Sequence, residues 1–150
     1  MALVPRALLQ AEVHRQLGHG DVARAYYDSA RVLLERRSRA QPDEANYYSA
    51  LGIALAGLGR KADAIAAARR AVELLPTRRE MWRSLYRLED LARVYAMVGE
   101  YDAAMQHLEQ LMALPGGKSI PFLRLDPVWD PLRERPRFRA LVRSATNAES

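Results

Sequence analysis

The sequence has no cysteine, two phenylalanines and only two lysines, and isoleucine occurs three times. The missing cysteine excludes a disulfide scaffold, a zinc ribbon and thiol catalysis. The scarcity of isoleucine and phenylalanine argues against strands. No apolar run approaches the roughly 20 residues that a membrane helix needs. The opening, MALVPRALLQAEVHRQ, is amphipathic and gains charge at Arg6 and Glu12, so no signal peptide is expected. Histidine occurs three times, at 14, 19 and 107, with no carboxylate or second histidine at a ligand spacing such as H-E-x-x-H. No metal, cofactor or catalytic constellation is expected.

What fills the chain instead is alanine (25), leucine (21) and arginine (21), out of 150 residues. All three are strong helix formers, so the composition predicts an all-α fold. One domain's length of chain is enough to bury a core.

The chain repeats itself. LGIALAGLGRKADAIAAARRAVELLP (51–76) aligns with LARVYAMVGEYDAAMQHLEQLMALP (91–115), and AEVHRQLGHGDVARAYYDSARVLL (11–34) is a fainter copy. Each has small residues where two helices would cross and a glycine where the first helix would end. The copy starting at Ala45 carries Tyr48, Leu51, Gly52, Leu55, Gly59, Ala64, Ala71 and Pro76. Gly52 and Ala64 let two backbones approach, Gly59 can take the left-handed conformation that closes a helix, and Pro76 stops the second helix. The copy starting at Leu85 gives Leu91, Ala92, Tyr95, Gly99, Ala104, Leu108 and Leu111. The copy starting near Val4 gives Ala11, Gly18, Ala23, Tyr27 and Ala30, with His14 at a large apolar position.

These helix-turn-helix copies resemble the tetratricopeptide repeat, a unit of about 34 residues. The resemblance implies antiparallel helix pairs stacked in a right-handed superhelix. The boundaries are placed at about 4–44, 45–84 and 85–117. The copies start 41 and 40 residues apart, and the surplus is helical in character. VLLERRSRAQPD prolongs the second helix of the first copy, and PTRREMWRSLYRLEDLARVYAMVG makes an overlong first helix in the third.

Residues 118–150 hold four of the eight prolines. The expected order is an extended segment over 118–126, a short helix over 127–134 and a last helix over 136–145. Asp126-Pro127 and Asp130-Pro131 each read as an N-cap followed by proline at the first helical position. Phe122, Trp129 and Phe138 are the expected anchors of a tail that covers the last repeat.

YRLEDLARVYAMVGEYDAA (86–104) and LRLDPVWDPLRERPRF (123–138) are similar to the C-terminal helical-repeat region of bacterial multidomain signalling proteins, such as serine/threonine kinases and nucleotide cyclases. That similarity implies a non-catalytic, regulatory role in the cytoplasm, or in the periplasm if a membrane span precedes the region in a parent protein.

In tetratricopeptide arrays the first helices line a concave face that takes a peptide segment. The resemblance therefore implies a groove made by Glu12, Arg15 and Gln16 from the first copy, Asn46, Ser49, Ile53 and Ala56 from the second, and Tyr86, Glu89, Asp90, Arg93 and Met97 from the third. Gly57 joins the middle set as part of a small-residue floor. The family's carboxylate-clamp positions fall on Leu8, Glu12, Ala50, Tyr86 and Asp90. None is basic and two are acidic, so that mode should be absent. The chain's own tail, 119–126, is a rival occupant of the groove.

The remaining features have plainer explanations. MALPGGKS (112–119) lacks the first glycine of a phosphate loop and follows a helix, so Gly116-Gly117 reads as a helix cap and hinge. The net charge of +5 is uneven: about +1 over 1–44, +4 over 45–84, −3 over 85–117 and +3 over 118–150. The arginines between Arg69 and Arg83 offer a basic stretch that could contact nucleic acid, without any aromatic interleaving to support it. Trp82 on the inserted turns could instead pair copies of the chain. The favoured expectation is a protein-binding scaffold, with oligomerisation and nucleic-acid binding as alternatives.

Overall fold

The computed structural model describes residues 5–74, 81–114 and 120–148. Every regular element among them is helical: α1 (Arg6–Gln16), α2 (Gly20–Ala40), α3 (Ala45–Gly57), α4 (Lys61–Glu73), α5 (Met81–Met97), α6 (Tyr101–Ala113), α7 (Ile120–Leu125), a 3-10 helix (Pro127–Leu132) and α8 (Pro136–Ala148). The first six form three antiparallel hairpins, stacked so that α2 packs on α3, α4 on α5, and α3 on α5.

The three hairpin turns are built alike. Gly18, Gly59 and Gly99 have φ of 76°, 76° and 81°, the left-handed conformation that other residues adopt only with strain. Beyond each glycine the backbone closes with the same bond: His19 N–H to the His14 carbonyl, Arg60 to Leu55 and Glu100 to Tyr95, all at 2.9 Å. Within the second hairpin, Gly52 sits where a Cβ would meet the Ala64 carbonyl and Ala68 at 3.2 Å. Ala64, Ala67, Ala68 and Ala71 are all buried. The alanines are thus the contact surface between helices, as much as helix formers.

The surplus that falls within α2 and α5 is helical. α2 runs for 21 residues and α5 for 17, against 13 for α3, α4 and α6. The last turns of α2 are still packed: Ser38 is buried, and Arg37 lies over the Tyr47 ring at 5.9 Å. His14, at a position where the repeat favours a large apolar residue, stacks on Tyr26 at 5.4 Å, with its Nδ1 3.2 Å from that of His19. The terminating prolines, Pro76 and Pro115, and the Gly116-Gly117 hinge lie outside the described residues.

The tail departs from its sequence reading in two places. The segment expected to be extended over 118–126 contains a helical turn and a half, α7, over 120–125. Pro121 falls in its first turn, where a missing N–H costs nothing, so proline does not oppose the helix. Asp126 caps the 3-10 helix as expected, its Oδ1 accepting from Val128 N–H at 3.0 Å. Asp130 is no second cap. It lies inside the 3-10 helix and pairs with Arg133 at 2.6 Å. Trp129, Leu132 and Phe138 are buried against the third hairpin. Phe122 is half-buried and meets the Trp129 ring edge-on at 5.6 Å. Surface ion pairs, Arg135–Asp102 at 3.2 Å and Arg137–Glu109 at 2.8 Å, tie the start of α8 to α6.

Candidate partner-binding face

The first helices of the three hairpins carry equivalent register positions. Position nine gives Glu12 on α1, Ile53 on α3 and Arg93 on α5, all partly exposed. Around them the expected groove residues divide into two groups. Gln16 and Tyr86 are exposed, and Arg15, Asn46, Asp90 and Met97 are half-buried. Ser49, Ala56 and Glu89 are buried and leave little surface for a partner.

Gly57 is no part of an open floor. A Cβ there would overlap the Tyr27 ring, so the glycine is the socket into which a fully buried tyrosine fits. The small residue serves packing between hairpins one and two. Tyr27 in turn donates its hydroxyl to Glu12, which also pairs with Arg15 at 3.1 Å. Burial first, and then the Glu12 carboxylate, raise the Tyr27 phenol above its ordinary pKa.

Between hairpins two and three the face is laced by polar contacts. Arg87 donates to the Asn46 side-chain oxygen and pairs with Asp90 at 3.3 Å, while Ser49 donates to Asp90. Burial raises the Asp90 carboxyl above the usual range and Glu89 adds to this; the Ser49 hydroxyl, Arg87 and Arg93 act the other way without cancelling it. Arg87 was not among the expected groove residues. Its signal is arithmetic: Asn46 to Arg87 and Ser49 to Asp90 are both separations of 41, one repeat step plus a residue.

Among the described residues the tail meets these groups at Arg93. Arg93 pairs with Asp126 at 2.6 Å and with Glu89 at 3.6 Å, and its guanidinium lies 5.9 Å from the Trp129 ring centre. Burial works against the Arg93 charge, but Asp126, Glu89 and Asp90 outweigh it and hold its pKa above the ordinary value. The position-nine row is therefore internally neutralised at both ends, by Arg15 on Glu12 and by Asp126 and Glu89 on Arg93. The clamp positions carry no cation.

The basic stretch is also engaged where it is described. Arg69 donates to the Tyr95 hydroxyl at 3.0 Å, and Arg70 pairs with Glu73 at 3.8 Å. Arg78, Arg79 and the side chains of Arg83 and Trp82 lie outside the described residues. Among the described residues no group of His, Asp and Glu is placed to hold a metal ion, and no helix is long and apolar enough to cross a membrane.

The tetratricopeptide repeat family matches residues 3–77, which span the first two hairpins. No curated protein matches the sequence. The third hairpin, with the same glycine turn and the same alanine at the helix crossing, continues the pattern in geometry. Repeats of this kind are, in general, non-catalytic modules for protein–protein interaction. With half its length covered by that match, the chain belongs to the tetratricopeptide repeat family.

Proposed function

We propose that this chain is a three-repeat scaffold (about 4–44, 45–84 and 85–117) that binds a peptide segment or partner domain along its concave face, with the 118–150 tail as its cap. The observation that carries the reading is the row Glu12–Ile53–Arg93. One apolar residue stands between two charges that are already paired within the chain. Such a surface has no free charge to grip a terminal carboxylate. It suits an apolar side chain set over Ile53 and Met97, with neutral or backbone hydrogen-bonding groups on either side. The tail narrows the site: with Asp126 on Arg93, the accessible stretch runs from Gln16 past Ile53 to Tyr86. The similarity of 86–104 and 123–138 to bacterial signalling proteins supports a regulatory, cytoplasmic setting for such binding.

The test is selection of peptides from a random displayed library, followed by NMR mapping of the winner. Shifts should centre on Ile53, Met97 and Tyr86, and Ile53→Arg should abolish binding while Val32→Arg, on an exposed flank of α2, leaves it intact. Binding indifferent to Ile53→Arg, or no selectable peptide, removes the groove reading.

A further inference from the structure

α1 is apolar on two sides. Leu8 and Ala11 face inward and are buried. Leu9, Val13 and Leu17 form a second stripe at i, i+4, i+8 and are 57%, 54% and 61% exposed. The register says what this stripe is. Leu9, Val13 and Leu17 occupy positions six, ten and fourteen of the first repeat. In the second repeat the same positions are Ala50, Ala54 and Leu58, and in the third Asp90, Val94 and Val98. Ala50, Ala54 and Val94 are buried, and Leu58 and Val98 pack against the core. Asp90 reaches back to Ser49 on the preceding hairpin. These positions therefore form the face by which each repeat stacks on the one before it. On α1 that face carries larger apolar residues than in α3 and has no neighbour among the described residues.

From this we infer that the α1 stripe is a dimer interface, covered by α1 of a second copy of this chain in an antiparallel, two-fold pairing. Three observations select that occupant. The other end of the array is sealed, because Trp129, Leu132 and Phe138 bury it under the tail, so copies cannot stack head to tail. The stripe is a palindrome about Val13. In an antiparallel crossing Val13 meets its own mate, where the helices are closest and the smallest side chain is wanted, and each Leu9 meets a Leu17. The ends also complement each other: exposed Arg6 opens α1, and exposed Asp21 lies just past its C-terminal end in the first turn of α2. Such an isologous contact closes on itself. It borders the groove at Gln16 but does not use Ile53 or Met97, so it stands whether or not the groove binds a peptide.

The absence of cysteine gives a clean test. Val13→Cys is introduced into the full chain, with Val32→Cys, equally exposed on α2, as the control. Oxidation should link Val13→Cys into a covalent dimer and leave Val32→Cys monomeric. Sedimentation equilibrium of the unmodified chain should show the mass rising from 16.9 kDa toward twice that value with concentration. The double change Leu9→Glu, Leu17→Glu should hold it at one copy with its helical melt retained. A chain that stays monomeric from micromolar to millimolar concentration overturns the inference. So does equal cross-linking of the two cysteine variants, or a dimer that survives the double change.

Discussion

The Ser49 hydroxyl donates a hydrogen bond to the Asp90 carboxylate, joining the first helices of the second and third repeats through a half-buried acid. The bond links residues 41 apart in sequence. It puts a titratable group between the two helices, whose charge Arg87 and Arg93 favour and Glu89 opposes.

Because burial raises the Asp90 carboxyl in the folded chain, the folded state holds a proton more tightly than the unfolded one does. The stability this contributes is fully present below the unfolded value of about 3.9 and is lost as pH rises through the folded value. Asp90→Asn, which cannot ionise, should abolish that slope. Thermal melts from acid to neutral pH should show the parent chain losing stability relative to Asp90→Asn as pH rises. Parallel pH profiles for the two proteins would sink the argument.

Gly57→Ala should destabilise the fold despite alanine's better helix propensity of about 1 kcal/mol. The added methyl meets the buried Tyr27 ring, and overpacking of this kind costs about 1–3 kcal/mol. Gly20→Ala, at the open start of α2 with nothing within 4 Å of the new Cβ, should be neutral or stabilising. Urea titrations of both variants separate packing from propensity.

Trp129→Ala should cost about 3–5 kcal/mol, since the side chain is fully buried between the 3-10 helix and the third hairpin. Tryptophan fluorescence of the parent chain should show a buried emitter. Loss of that component on substitution, with a lowered urea midpoint, is the expected pair of observations.

Arg93→Met removes the cation shared by Asp126, Glu89 and Asp90. Leaving those carboxylates without it should cost about 3 kcal/mol at neutral pH. The loss should shrink in acid, where Asp90 takes up its proton. A penalty independent of pH would mean that packing on Trp129, and not charge, is the larger part of Arg93's role.

The hairpins were legible in the sequence because their determinants are local and repeated. A glycine every forty or so residues at the end of a helix, and alanines at its crossing points, read directly as Gly18, Gly59 and Gly99 and as Ala23, Ala64 and Ala104. The groove was less legible because exposure depends on what neighbouring repeats send across. Ser49 looked like a surface hydroxyl until Asp90 covered it, and Gly57 looked like open floor until Tyr27 filled it. α7 was hidden by its proline, whose effect depends on which turn it occupies. Arg87 was overlooked because its role lies between repeats, whereas motif matching works within one.

The clasp between tail and array has a mechanical meaning. Tension on the C-terminus acts first on α8, which is held by Phe138 and by two ion pairs at the surface. Only when α8 has peeled away does the load reach the 3-10 helix, where Trp129 and the Arg93–Asp126 pair share it. When that inner clasp parts, Arg93 loses its shortest ion pair and keeps the longer one to Glu89 on its own helix.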